Sequence, residues 1–217
     1  MNGIAWIFAF GLLIINAECQ ICTTNSENAV SCSNVKSMTE IADTIKSNWT
    51  RLEINNEASA GAELTVAGQF SYNFAYITQL DFSKAGMLKV VDNGFSSFTS
   101  MILLNVSNTR ISEIRQQWFG TAGKNIEHLN ASKNRIKNIK RENIKHFTKL
   151  KQLNISYNVI DLIDPNSFID LKKLEVLSLS NNLLTVANIG AIENLKTLNL
   201  RDNSIVRVSD LPLNPSQ

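Results

Sequence analysis

The sequence predicts a repeat solenoid, and two observations carry that prediction. The first is a recurring pattern of two apolar residues around a variable one, then an asparagine, then further apolar residues, and its most complete copy is LKQLNISYNVIDLIDPNSFIDLKKL at 150–174. The second is spacing, since the first leucine recurs at steps of 21–25 residues, at Leu80, Leu104, Leu129, Leu153, Leu177 and Leu198. Self-similarity at such a period indicates stacked structural units. A weaker copy begins at Leu52, 28 residues before Leu80.

Each part of the pattern has a physical role. Alternation in a strand turns the two flanking leucines to one side and the middle residue to the other. The asparagine is expected to bond backbone groups where the chain leaves the strand. That position holds Asn134, Asn158, Asn182 and Asn203, but Thr109 and Ala85 in two earlier copies. We expect threonine to replace the amide in part and alanine not at all.

Written as LxLxxNxIxxI followed by FxxLxxL, the pattern resembles the consensus of extracellular leucine-rich-repeat proteins over residues 50–208. The resemblance implies an α/β-type repeat solenoid, a horseshoe with a parallel β-sheet on its concave face and a mostly irregular or short-helical convex side. The predicted organisation is a signal peptide at 1–17, a disulfide cap at 18–48, about seven repeats at 49–208 and a tail at 209–217 without a cysteine cap. Trp49, Leu52 and Ile54 are expected to supply the first strand, and 58–64 to form a connecting loop.

The N-terminus predicts secretion. Residues 4–15 are an apolar run, and Ala17 suits signal-peptidase cleavage. The run is too short to cross a bilayer, and no other stretch is long and apolar enough to do so. The chain has 217 residues, 44% of them hydrophobic, so it can bury a sizeable core, and its net charge of +2 indicates little. We therefore expect a secreted, extracellular protein with no membrane span.

All three cysteines follow the predicted cleavage site. The segment CQICTTNSENAVSCSN resembles the N-terminal cap of the same family, a disulfide-pinned hairpin that usually has four cysteines. The resemblance implies a Cys22–Cys32 bond, with Cys19–Cys32 as the alternative. An odd cysteine in a secreted chain indicates an intermolecular bond or a free thiol. A homo- or heterodimer through that cysteine, or through the uncapped C-terminal end, is therefore among the expected partners.

Candidate recognition residues lie in the strands. Four Asn-x-Ser/Thr sequons, at Asn48, Asn105, Asn130 and Asn154, predict glycosylation, and the last three share the position between the two leucines. They are therefore expected to stack on the concave face. Copies of this family often have serine two residues after that position, so an asparagine there can also create a sequon by accident. The other concave-face binding candidates are Gln79, Asp81, Ser83, His128, Ser132, Gln152, Ser156, Tyr157, Ser178, Ser180, Thr197, Asn199 and Arg201. This polar set favours a hydrogen-bonding platform for a protein or glycan over a small-molecule pocket.

Basic residues are concentrated in one part of the chain. Residues 124–151 contain nine Lys or Arg against two acids. The candidate basic patch is Lys133, Arg135, Lys137, Lys140, Arg141, Lys145, Lys149 and Lys151. Such a cluster attracts a sulfated glycan, an anionic lipid or an acidic partner, or it is the solvated convex face of one repeat. Aromatic interleaving is lacking, so nucleic acid is not an expected partner.

The sequence gives no support for catalysis. The two histidines, His128 and His146, are not in a metal-ligand spacing, and no nucleophile elbow or phosphate-binding loop occurs. We therefore predict neither an enzyme nor a cofactor. The leading hypothesis is a secreted recognition protein that binds a protein or surface ligand through its concave face. A weaker resemblance to insect leucine-rich-repeat immune proteins implies a role in innate immunity, and the alternatives are the ectodomain portion of a receptor or adhesion protein, or a structural matrix protein.

Overall fold

The computed structural model describes residues 13–15, 20–56, 62–67, 72–187 and 189–207. It contains one ten-stranded sheet to which each copy of the pattern contributes one strand. The sheet is antiparallel across its first three strands and parallel from the third onward. The predicted repeat solenoid with a parallel sheet is therefore confirmed.

The sheet has the strand order β1-β2-β3-β4-β6-β8-β9-β11-β13-β14, and two small parallel sheets pair β5 with β7 and β10 with β12. The strands are β1 (Leu13–Ile15), β2 (Gln20–Ser26), β3 (Ala29–Ser33), β4 (Arg51–Asn55), β5 (Glu63–Val66), β6 (Gln79–Lys84), β7 (Met87–Val90), β8 (Leu103–Asn105), β9 (His128–Asn130), β10 (Asn138–Ile139), β11 (Gln152–Asn154), β12 (Leu162–Ile163), β13 (Val176–Ser178) and β14 (Thr197–Asn199). Short 3-10 helices span Met38–Ile41, Tyr72–Tyr76, Gln116–Trp118 and Ala122–Asn125, and a single α-helical turn, α1, spans Arg141–Ile144. The side opposite the sheet is thus irregular or short-helical, as predicted.

The register of the sheet follows the leucine spacing. The first leucines of successive copies are direct neighbours in the ladder, in the order Leu52, Leu80, Leu104, Leu129, Leu153, Leu177 and Leu198. All of them are buried except Leu198, which is only partly covered. Stacking therefore produces a continuous apolar column, with the second apolar residue of each copy buried beside the first except in the last copy, where Leu200 is partly buried.

The asparagines join each copy to the one before it. Asn158 donates from Nδ2 to the carbonyl oxygens of Ile155 and Ser156 in its own copy and of Ala131 in the preceding one, at 3.0–3.2 Å. Its Oδ1 accepts from the backbone N–H of Ile136 at 3.0 Å. Asn134, Asn182 and Asn203 make equivalent bonds. These buried amides satisfy the backbone groups that the turn removes from the sheet.

The N-terminal copies use other devices at this position. Thr109 donates from Oγ1 to the carbonyl of Val106 at 2.6 Å, whereas Ala85 offers only its backbone N–H to Phe82 at 2.8 Å. Ala85 has no side-chain amide that could join its copy to the preceding one. The Leu52 and Leu80 copies are instead joined by the parallel pairing of β5 with β7 over four residues. Asn56, which the pattern did not single out, bonds both the N–H and the C=O of Val35 and so ties the first copy to the cap.

Aromatic residues fill the convex half of the core. Phe74, Phe95, Phe98, Phe119 and Phe147 come from successive turns, and their neighbouring ring centroids are 4.9–6.2 Å apart. Tilted and edge-on contacts at such distances are favourable beyond the area they bury. The turns opposite the sheet therefore stack on one another through these aromatic side chains, just as the strands do through hydrogen bonds.

A hairpin covers the N-terminal end of the column. β2 and β3 pair so that Cys22 lies opposite Cys32, and the two sulfurs are bonded at 2.07 Å. The expected Cys22–Cys32 disulfide is thus confirmed, and its alternative partner, Cys19, lies outside the described residues. Val30 and Cys32 of β3 are buried, and β3 runs parallel to β4.

Two sequence-based expectations fall wholly or partly outside the described residues, and a third needs correction. Of the predicted signal peptide only residues 13–15 are described, as β1 antiparallel to β2, and the predicted tail at 209–217 lies outside the described residues. The expected loop at 58–64 is wrong at its end, because Glu63 and Leu64 begin β5. Leu64 is buried, and its burial holds the segment in the small sheet that β5 forms with β7.

Candidate functional site: the concave face

Two rows of side chains cross the solvent-facing side of the sheet, which we call the concave face. The row before the first leucine is Gln79, Leu103, His128, Gln152, Val176 and Thr197. The row after it is Asp81, Asn105, Asn130, Asn154, Ser178 and Asn199. Neighbouring members of a row are one strand apart, about 4.8 Å. The structure therefore places the three predicted sequon asparagines side by side.

A shallow groove lies where these rows cross β8, β9, β11 and β13. It has a volume of about 430 Å³ and is lined by Leu103, Asn105, His128, Asn130, Gln152, Asn154, Val176 and Ser178, with Leu104, Leu129 and Leu153 beneath. Sequence reasoning selected polar members of these rows and missed Leu103 and Val176. Their position directly before the first leucine of each copy was the signal that identifies them.

The sequon asparagines are held in one orientation. The backbone N–H of Ser107 donates to Asn105 Oδ1, and Ser132 and Ser156 do the same for Asn130 and Asn154, each at 3.1 Å. The Nδ2 atoms of these three asparagines donate no hydrogen bond to a described residue, so the amide nitrogens are not engaged within the sheet. Asp81 Oδ1 and Asn199 Oδ1 accept equivalent bonds, which makes this a feature of the row.

Four predicted concave residues lie elsewhere. Ser132, Ser156 and Ser180 are only 6–7% exposed because the chain turns inward there and the asparagine amide bonds their carbonyls. They add little surface to the face. Tyr157 is 55% exposed, but its left-handed backbone, φ 54°, turns it off the strand and onto the side of the solenoid. Ser83 is half-buried and Arg201 is exposed at the strand ends.

Charged side chains alternate along the edge where the strands begin. Lys151 Nζ lies 2.6 Å from Glu127 Oε2, and Lys196 Nζ lies 3.0 Å from Glu175 Oε2. The hydrogen bond from Lys151 holds the pKa of Glu127 below its ordinary value. Each pair joins neighbouring copies, so this edge is an array of inter-repeat ion pairs.

The predicted basic patch is divided among three surfaces. Lys133, Arg135 and Lys137 lie beside the asparagine turn, Lys151 lies at the strand edge, and the others lie on or near α1. On the outer side, Arg141 forms a two-bond pair with Asp170, at 2.6 and 3.0 Å. The bond from Arg141 lowers the pKa of Asp170. These residues are close together in the sequence, but in the structure they do not form one basic surface.

Two further findings concern the described residues. No group of three or more His, Cys, Asp or Glu side chains among them is arranged to hold a metal ion. Nor does that part of the chain contain a helix with the length and apolar character needed to cross a membrane.

Comparisons with known proteins agree with the repeat architecture described above. Residues 124–184 match the family model described as leucine rich repeat. No curated protein matches the sequence. Among 190 matching chains of solved structures is one from the Toll–Spatzle complex, described as a molecular hub in Drosophila development and innate immunity. The two chains superpose with a TM-score of 0.60 at 16% identity, over 77% of this chain and 24% of that one, so the likeness concerns the fold.

Proposed function

We propose that this chain, which matches the leucine-rich-repeat model over residues 124–184 and shares the fold of the similar solved structure, is a secreted recognition protein that binds a protein or a glycan-bearing surface through its concave face. The groove across β8, β9, β11 and β13 is the observation that carries the proposal. It combines apolar contacts at Leu103 and Val176 with amide groups at Gln152 and Asn130. A rigid sheet presenting both kinds of group is suited to a macromolecular ligand.

Secretion is supported by the disulfide of the cap, because such bonds persist in oxidising compartments. The similar solved structure contains a complex described in terms of innate immunity. Together with the recognition surface, this supports a role in innate immunity for this protein too.

Glycosylation of the sequon asparagines is part of the same proposal. The atom that carries an N-linked glycan is Nδ2, which at Asn105, Asn130 and Asn154 donates no hydrogen bond to a described residue. Asn48, the fourth sequon, lies in an exposed turn of the cap. Since the three concave asparagines are about 4.8 Å from their neighbours, a glycan on one of them covers part of the groove, and a protein ligand of the glycosylated chain would then contact the uncovered part of the groove and the flanking copies.

The concave-face proposal is tested by screening the secreted chain against an array of extracellular protein ectodomains and microbial polysaccharides. Val176→Arg places a long charged side chain in the groove without touching the buried column. Any specific ligand is expected to bind this variant about tenfold or more weakly. The matched control is Ile169→Arg, an exposed apolar position outside the concave face, which should bind normally. Ligands that bind both variants equally would contradict the proposal.

A second candidate is the ectodomain portion of a larger receptor or adhesion protein. Leu198, Leu200 and Ile205 of the last described copy are only partly buried, whereas the equivalent Leu177 and Leu179 of the preceding copy are fully covered. A further copy or a partner surface would complete that burial. A transcript that continues past codon 217 into an apolar stretch would support this candidate, and a stop codon there would contradict it.

A further inference from the structure

A second exposed surface runs along the side of the solenoid, next to the asparagine turns. We define the lateral ridge as Arg110, Lys133, Arg135, Lys137, Tyr157, Val159, Leu162, Leu183 and Val186. These residues lie four, six, eight or nine positions after the first leucine of the copies that begin at Leu104, Leu129, Leu153 and Leu177. The ridge contains none of the four sequon asparagines, so it stays uncovered when the concave face carries glycans.

Backbone hydrogen bonds fix the order of the ridge. The N–H of Arg135 donates to Ile111 O at 2.8 Å, that of Val159 to Ile136 O at 3.1 Å, and that of Leu183 to Ile160 O at 2.9 Å. β10 and β12 add a parallel pair in which Asn138 lies opposite Leu162. The ridge is therefore a rigid ladder whose neighbouring side chains are about one strand spacing apart.

The ridge residues in the Leu153 and Leu177 copies are apolar, and the exposed Asp161 lies between two of them in the sequence. Tyr157, Leu162 and Leu183 are 53–55% exposed, and Val159 and Val186 are 40–42% exposed. These five make up most of the nine large hydrophobic side chains reported as exposed among the described residues. Single exposed apolar residues are ordinary, whereas a contiguous group marks an interaction surface.

The half of the ridge in the Leu104 and Leu129 copies is basic. Arg110, Lys133 and Arg135 are exposed and form no recorded ion pair with a described residue, and the Nζ of Lys137 is 4.0 Å from Asp161. Elsewhere lysines are paired between copies more closely, as with Lys151 and Glu127 at 2.6 Å. Basic groups beside an apolar surface match a ligand that carries acidic and apolar groups in the same order.

We propose that the lateral ridge docks a segment of a partner protein that is acidic at one end and apolar at the other. The acidic end contacts Arg110, Lys133 and Arg135, and the apolar end covers Leu162 and Leu183. Four copies span about 14 Å, which is the length of about nine or ten residues of α-helix. A protein partner fits better than a lipid surface, because the apolar side chains are half-buried in a flat ladder, whereas interfacial binding requires them to insert about 5–10 Å deep.

The test uses two synthetic peptides and the purified chain. One peptide has an Asp/Glu block followed by a Leu/Ile/Phe block, and the other replaces the acidic block with Lys. We expect the acidic peptide to bind, the Lys peptide to bind at least about tenfold more weakly, and the acidic peptide to lose affinity at high ionic strength. Leu183→Glu and Arg135→Glu should each weaken its binding about tenfold or more. Ile169→Glu, a similarly exposed apolar position off the ridge, is the matched control and should change nothing.

Several outcomes would overturn the proposal. They are failure of the acidic peptide to bind, equal binding of both peptides, or equal effects of Leu183→Glu and Ile169→Glu. Stronger binding of anionic phosphatidylserine vesicles than of the acidic peptide would assign the ridge to a membrane surface instead. Concentration-dependent dimers abolished by Leu183→Glu, without peptide binding, would assign it to a second copy of this chain. Circular dichroism and thermal melting of every variant check that these surface substitutions leave the fold intact.

Discussion

The side chain of Asn158 shows how much structure one amide organises. It is buried, and it connects the Leu153 copy to the Leu129 copy by one donated and one accepted bond while also closing its own turn. Replacing it with alanine leaves the N–H of Ile136 without a partner in the core and removes one of the two hydrogen bonds that the carbonyl of Ala131 accepts, the other coming from Asn134. We expect Asn158→Ala to lower the free energy of unfolding by roughly 2–4 kcal/mol, measured by urea denaturation.

Asn138→Ala is the matched control for that prediction. Asn138 is an exposed asparagine, and its side chain has no recorded hydrogen bond. Its replacement should change the unfolding free energy by less than about 0.5 kcal/mol. Equal losses from the two substitutions would mean that the asparagine ladder does not stabilise the repeats.

At the scale of residues, the sequence predicted what sits inside the column better than what faces outward. Periodic leucines and asparagines could be assigned because each repeats a fixed offset, and all lie in register. Ser132, Ser156 and Ser180 were expected on the open face because strand alternation was extended past the strand end. The backbone there becomes left-handed, with φ 54–56° at Lys133, Tyr157 and Asn181, and the alternation stops.

At the scale of elements, the β2–β3 hairpin closes the N-terminal end of the solenoid. Its disulfide joins residues 10 apart in sequence, and it limits the unfolded chain as well as fixing the hairpin. Loop-closure entropy for such a separation corresponds to about 2.5 kcal/mol. We expect the double variant Cys22→Ala, Cys32→Ala to lose about this much unfolding free energy, measured by urea denaturation without reductant.

The third cysteine provides the comparison for that variant. Cys19→Ala removes a thiol that does not take part in the Cys22–Cys32 bond, so its unfolding free energy should match that of the unaltered chain. A loss as large as that of the double variant would show that Cys19 also stabilises the cap. Treatment of the unaltered chain with reductant should reproduce the double variant.

Elements outside the main sheet were the hardest to predict. The β5–β7 pair was missed because β5 begins inside the expected loop at 58–64, and because β7 follows Ala85, which replaces the asparagine and so removes the turn signal before that strand. The groove was missed for a different reason. Leu103 and Val176 look like incidental apolar residues in their own copies, and they line one groove because the stacking of strands brings together residues far apart in the sequence.

At the scale of the whole molecule, each copy is stabilised by the copies on either side of it. A solenoid has no contacts between distant copies, so its stability is a sum of repeat and interface contributions. The same substitution should therefore cost less where one neighbour is missing. Leu177 and Leu198 provide that comparison, because they occupy the same repeat position and are direct neighbours in the sheet.

Leu177 is completely buried between the Leu153 copy and the last described copy, whereas Leu198 is only partly covered. Leu177→Ala leaves a cavity in the column and should cost about 2–5 kcal/mol of unfolding free energy. Leu198→Ala removes fewer contacts and should cost less than half as much, since its unsupported side can relax into the space. Urea denaturation of the two variants, followed by circular dichroism, measures the difference. Equal losses would mean that Leu198 is covered in solution by another part of the chain or by a second molecule, and light scattering on the same samples separates those two causes.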